Sequence, residues 1–235
     1  MKLKGSLFAG LLATAAFFHA GSAQAAAVTG QANIAGNVNV DLTSIIFNPT
    51  FTNTPGALET GSFAGLTGGT IMSLTGGPAT GSVNVPNFMS FNAGVATPVT
   101  FDLTFIAPGV GNQASCASST PGSLCTPNGS PFTLLQLTSS TVVASLQLNG
   151  VAYTGSAATG SSATTGVFST QTVIGGTLPA IIAALNSGQA LTGITYSASF
   201  IANPTASPVP EPASMLLMGL GLAGAGLVAR RKSKA

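Results

Sequence analysis

Between Gln24 and Ala229 the sequence has no lysine, no arginine and no histidine. In that stretch only Asp41, Glu59, Asp102 and Glu211 carry charge, all of it negative. A surface without cations cannot neutralise phosphates, so nucleic acid is excluded as a partner. The same absence removes the usual general bases. A nucleophilic Ser or Cys has no His or Lys to activate it, so the serine and cysteine hydrolase templates fail. A His-based zinc site fails for the same reason, because the single histidine, His19, lies in an N-terminal leader. There is no tryptophan, and Tyr153 and Tyr196 are the only tyrosines, so aromatic platforms for sugars are scarce. Carboxylate chemistry is what remains. A pair of acids serves a glycosidase, and Asp41, Glu59 or Asp102 with backbone carbonyls would suit calcium. Isolated carboxylates on strands are ordinarily just solvated, so the expectation is no catalysis, no cofactor and no metal.

What the chain does have begins with its two ends. At 235 residues it has room for one ordinary domain plus targeting segments. Lys2 and Lys4 precede an apolar run over 7–18 and then Ala23-Gln24-Ala25. A basic start, a short apolar core and an A-x-A are the parts of a secretory signal peptide. Residues 1–25 are read as that leader, cleaved between Ala25 and Ala26, with Ala23 and Ala27 as alternative boundaries.

At the other end, 213–229 is uncharged, and at ~1.5 Å per residue it makes a helix of about 25 Å, short but able to cross a bilayer. Arg230, Arg231 and Lys232 follow at once. That cluster keeps the tail, 230–235, on the cytoplasmic side and leaves the domain outside. Pro210 and Pro212 break the chain ahead of the helix. Ser207-Pro208-Val209-Pro210 makes 204–212 a stiff spacer. An extended strip beside a membrane is the form in which a processing enzyme takes its substrate.

Val209-Pro210-Glu211-Pro212, a Gly-rich apolar helix and then Arg230-Arg231-Lys232 resemble the PEP-CTERM sorting signal, over about the last 27 residues. The resemblance implies an exosortase-type processing enzyme as partner. It also implies a transient stay in the inner membrane of a Gram-negative-type bacterium, then delivery to the cell surface or extracellular matrix. It implies nothing about the activity of the domain in between.

That domain, 26–203, is dominated by alternation. Val99, Phe101, Leu103 and Phe105 point one way, and Thr100, Asp102 and Thr104 the other, which is the pattern of a half-buried strand. Val142, Ala144, Leu146 and Leu148 repeat it, with Asn149-Gly150 expected to turn the chain into a hairpin. Ile194, Tyr196, Ala198 and Phe200 repeat it again. Weaker strand candidates lie at 33–42, 81–86, 88–92, 132–138 and 167–173, and 156–166 reads as a flexible loop. The repeated Leu-Thr-Gly-Gly at 66–69 and 74–77 reads as turn, strand, turn. One short helix follows Thr177 as cap, with Pro179 in its first turn and Gly188 at its end, and is expected to act as a lid over one end of the sandwich.

Cys116 and Cys125 flank a loop containing Pro121-Gly122. An even pair in an exported chain reads as a structural disulfide. The expectation is therefore an all-β protein, a β-sandwich or barrel-like domain with one short helix, plus an N-terminal signal helix and a C-terminal transmembrane helix. Its expected role is structural or adhesive and non-catalytic; the alternative is a carbohydrate-binding module associated with exopolysaccharide.

Overall fold

The computed structural model describes residues 27–54, 59–77, 80–92, 97–155, 157–170 and 174–204. The leader with Ala25 and Ala26 lies outside the described residues, as do Val209, Pro210, Glu211, Pro212, the expected 213–229 helix, Arg230, Arg231 and Lys232. Among the described residues no helix is long and apolar enough to cross a membrane.

The described strands are β1 (Gly30–Val40), β2 (Ile45–Phe47), β3 (Thr50–Asn53), β4 (Gly68–Ile71), β5 (Gly81–Phe91) and β6 (Val99–Ile106), followed by β7 (Leu124–Cys125), β8 (Thr133–Thr138), β9 (Thr141–Thr154), β10 (Ser162–Thr170), β11 (Ile174–Gly175) and β12 (Leu191–Asn203). Eight of them lie side by side in the order β10-β12-β1-β3-β4-β5-β6-β9, and β9 pairs with β10 to complete the ring. The domain is thus a closed antiparallel barrel and not the two-sheet sandwich that was the other expectation. Closure depends on β1 meeting β12, from Gly30 opposite Ala202 to Val38 opposite Ile194. No local pattern encodes a pairing between the two ends of a domain. β9 continues past the ring: its first half pairs with β8, and β8 pairs with β7. These two strands and the loops beside them form a flap on the barrel.

Alternation produces a wall with one apolar face. Val142, Ala144, Leu146 and Leu148 are all buried, and so are Ile194, Tyr196, Ala198 and Phe200. Aromatic rings fill the interior. Phe51 and Phe63 each meet Phe91 with ring centres 5.1 Å apart, and Phe91 meets Phe200 at 6.1 Å. Phe168 lies 5.4 Å from Phe200 and 5.3 Å from both Phe47 and Tyr196. Edge-to-face contacts of this kind contribute about 0.5–1.5 kcal/mol each beyond burial.

Glycine makes room for those rings. Gly36 lies opposite Tyr196, Gly69 opposite Phe51 and Gly166 opposite Phe200. A methyl added at any of the three would overlap its partner's ring. Gly150 belongs with them, which corrects the expected hairpin turn. β9 runs unbroken through Asn149 and Gly150, and a carbon added at Gly150 would stand 2.7 Å from the Phe101 ring. Here glycine marks a close approach, not a reversal.

Three other elements depart from the alternation. β6 keeps its expected parity as far as Leu103; then Thr104 is an extra residue, with Leu103 opposite Gly150 and Phe105 opposite Asn149. A bulge shifts the side-chain parity, so Ile106 is buried while Phe105, expected inward, is only half-buried. The candidates 81–86 and 88–92 merge into β5, with irregular pairing to β6 between Ser82 and Met89. The supposed loop 156–166 holds a helical turn at Ala157–Gly160 and, from Ser162 on, the start of strand β10, with Ser162 and Thr164 buried on its inner face; Ser156 itself lies outside the described residues. Ladders to β12 and β9 on its two sides order β10 in spite of its small polar residues.

The helix (Leu178–Asn186) forms where expected, with Pro179 in its first turn and Gly188 at φ +79° just past its end. Thr177 occupies the cap position, but its side chain makes no capping bond. The acceptor comes instead from Gln136, fully buried on β8, whose Oε1 accepts the Leu178 N–H at 2.7 Å. Leu178, Ile181 and Leu185 are buried as the helix packs on β8 and on a 3-10 turn at Gln113–Ala117. The lid therefore covers the flap.

Candidate functional site

The described carboxylates stand in separate settings. Asp41 closes its own turn: Oδ1 accepts the Thr43 N–H at 2.7 Å and the Thr43 hydroxyl at 2.9 Å, and Oδ2 accepts the Ser44 hydroxyl at 2.6 Å. The Ser44 hydroxyl above all holds its pKa below the ordinary value. Asp102, on the outer face of β6, accepts the Asn87 N–H at 2.7 Å and the Tyr153 hydroxyl at 3.1 Å. Asn87 is the one non-glycine with positive φ among the described residues, at +54°, a conformation that Asn tolerates best. Asp102 thus pins the irregular part of β5. Glu59 is shifted the other way, because burial raises its pKa. Among the described residues no three of His, Cys, Asp and Glu gather at one point. Asp41 and Asp102, which a glycosidase would need as its acid and its partner, are each committed to local structure.

Neither tyrosine offers a platform to a sugar. Tyr153 is 8 % exposed, under the Asn87 bulge, and burial first, then Asp102, raises its pKa. Tyr196 is 2 % exposed, inside the barrel. Among the described residues its hydroxyl has no hydrogen-bond partner, and burial holds its pKa far above the ordinary value. It borders an interior cavity of about 40 Å³ with Val38, Phe47, Phe132 and Phe168. That space accepts water-sized occupants, since one water needs roughly 10–15 Å³ of it, and no larger ligand.

The more capacious site lies on the flap. A cleft of about 550 Å³ is lined by two loop walls, one including Pro108, Gly111 and Gln113, the other Pro127, Asn128 and Gly129, together with Gly77 and Thr80 from the β4–β5 connection. Its size falls in the ~300–1,000 Å³ range of ligand clefts. The walls are fastened to each other at their base. Thr126 Oγ1 donates to the Val110 carbonyl at 2.9 Å, and the Val110 N–H donates to Thr133 Oγ1 at 2.6 Å. Gly109 lets the walls approach, because a carbon added there would stand 2.5 Å from Thr126 Oγ1. Asn112 Oδ1 accepts the Ser115 N–H at 2.8 Å and so caps the 3-10 turn that begins at Gln113. The expected disulfide is present: Cys116 ends on Cys125, with their Cα atoms 5.0 Å apart. It joins the turn that carries Gln113 to the residue before Thr126.

None of the cleft residues is charged, and among the described residues the Gln113 and Asn128 amides have no hydrogen-bond partner. Sequence reading missed both. The Pro127-Asn128-Gly129 turn was legible, but nothing in the sequence says that it faces Gln113.

Residues 208–232 match the PEP-CTERM protein-sorting motif family. The match spans Val209-Pro210-Glu211-Pro212, the 213–229 segment and Arg230-Arg231-Lys232, all of it outside the described residues. No curated protein and no solved structure matches the chain.

Proposed function

We propose that this is a non-catalytic protein of the bacterial cell surface or extracellular matrix, whose barrel has a structural or adhesive role. The sorting motif at 208–232 carries the reading. A tail of that kind belongs to an exported precursor, anchored in the membrane and processed by an exosortase-type enzyme. The barrel suits such a destination. Its wall presents neutral groups such as Gln31, Asn33 and Ser199, with Gln31 Nε2 donating to the other two at 3.1 and 3.0 Å. A surface with no cations and few anions offers little repulsion to neighbours of its own kind.

The test replaces Pro210, Glu211 and Pro212 with alanine in the native strain. The expected outcome is uncleaved precursor in the inner membrane and a loss of cell cohesion equal to that of a deletion strain. Surface-located protein that still carries Arg230, Arg231 and Lys232 by intact mass would sink the sorting reading. Unchanged cohesion in the deletion strain would sink the adhesive role. A second reading, a carbohydrate-binding module within exopolysaccharide, is favoured by the neutral amide-bearing cleft on the flap. Binding of the mature surface protein on a glycan array would raise it above the first.

A further inference from the structure

Resting on that second reading, we propose that the flap cleft is the glycan site, that its ligand is a neutral hydroxyl-rich chain, and that the Cys116–Cys125 disulfide holds its walls in binding geometry. The chemistry of the lining selects the ligand class. Gln113 and Asn128 present amide donors and acceptors from opposite walls with no partner among the described residues. An amide offers both signs of hydrogen bond, as a sugar hydroxyl does. Pro108, which is exposed, and the glycines of the two walls leave carbon–hydrogen surface against which a sugar ring packs.

A uronic or sulfated sugar would have to give up its hydration with no Lys, Arg or His anywhere in 25–229 to compensate. An extended peptide is disfavoured on other grounds. Peptides usually add to a free sheet edge or seat side chains in apolar pockets. Here the barrel strands are paired into a ring, the edge strand of the flap, β7, is only two residues long, and the cleft walls are loops rather than strands.

The disulfide's position says what it does. It lies in neither the barrel wall nor the ring column; it links the Gln113 turn to β7, directly before the second wall. A loop pair fixed in advance loses less conformational entropy on binding. The covalent link therefore serves the cleft more than the barrel.

The test is calorimetric titration of the mature surface protein with neutral gluco- and galacto-oligosaccharides, with oligouronates and an extended peptide as the other arms. A neutral chain should bind, and Gln113→Ala with Asn128→Ala should weaken it roughly tenfold or more, the loss of two hydrogen bonds, without moving the melting temperature. Cys116→Ser with Cys125→Ser should weaken it as well, while near-UV circular dichroism still reports the packed aromatic interior. Neutral-glycan binding that the amide variants leave unchanged would place the site elsewhere and overturn the proposal, with the carbohydrate reading intact. Preference for the oligouronate or the peptide would overturn the ligand class. Binding by the serine pair equal to that of the native protein would overturn the role of the disulfide. No binding to any glycan would remove the carbohydrate reading and the proposal together, leaving the adhesive role to the cohesion assay.

Discussion

The barrel and its flap are two ways of holding a chain together within one domain. In the barrel, order is distributed: each strand has two neighbours, each inward ring touches others, and glycines opposite the rings admit them. In the flap, order rests on a few identifiable links: the Cys116–Cys125 bridge, the Thr126 and Thr133 hydroxyls on Val110, and the buried Gln136 that caps the helix. The difference teaches where substitutions should register. A change in the barrel should cost stability, because packing is shared. A change in the flap should cost local geometry, because a single link sets it.

The largest expected effect comes from the ring column. Phe200 is fully buried and meets Phe91, Phe101 and Phe168. Phe200→Ala should cost about 3–5 kcal/mol, read as a lower urea midpoint. Gly166→Val, which fills the space of that ring from across the ladder, should cost about 1–3 kcal/mol or more. A midpoint unchanged in both would break the account of the barrel.

Reduction of the disulfide comes next. The loop it closes spans nine positions, and the chain-entropy account assigns such a bridge about 2–3 kcal/mol. The sharper contrast is spatial. Trypsin is blind to the domain, which has no Lys or Arg between Gln24 and Ala229, so an elastase digest is the suitable probe. After mild reduction the first cuts should fall between 108 and 130, with the barrel strands still protected. First cuts in β1 or β12 would show that flap and barrel open as one unit.

The smallest effect separates a carboxylate in an open turn, Asp41, from a half-buried one, Glu59. Asp41 has a lowered pKa, so its contribution is present above the ordinary value of 3.8 and is lost as pH falls through the lower folded value. Glu59 has a raised pKa, so its ionisation in the fold carries a penalty. That penalty is absent below 4.5, grows as pH rises, and is complete above the raised value. Melting temperatures across the acid range should therefore show Asp41→Asn losing most relative to the native protein near neutrality. Glu59→Gln should gain there. Shifts of the same sign in both variants would contradict the two settings.

Several parts of this arrangement were legible because their causes are local. The inward sets of β9 and β12 were readable from alternation, since adjacent residues on an extended chain face opposite ways. Thr177, Pro179 and Gly188 bracketed the helix correctly, although the capping oxygen comes from Gln136, 42 positions away. Asn149-Gly150 misled because the same dipeptide serves a tight turn or a close approach, and only the Asp102 carbonyl and the Phe101 ring beside it decide which. The cleft was not legible at all, since Gln113 and Asn128 come to line it through a bridge and two hydroxyl bonds between separate loops.

By itself, the sequence determined the lack of cations between Gln24 and Ala229, the inward faces of β9 and β12, the helix, the cysteine pair and the sorting motif at 208–232. Each of these depends on residue type or on spacing within one segment. The tertiary structure alone decided that the wall closes, that Asp102 holds Asn87 and Tyr153, and that two neutral loops face each other across a cleft. The physical reason is range. Side-chain parity repeats every second residue along a strand, whereas closure joins Gln31 to Ser199, 168 positions apart, and is selected by how the whole set of rings and glycines packs.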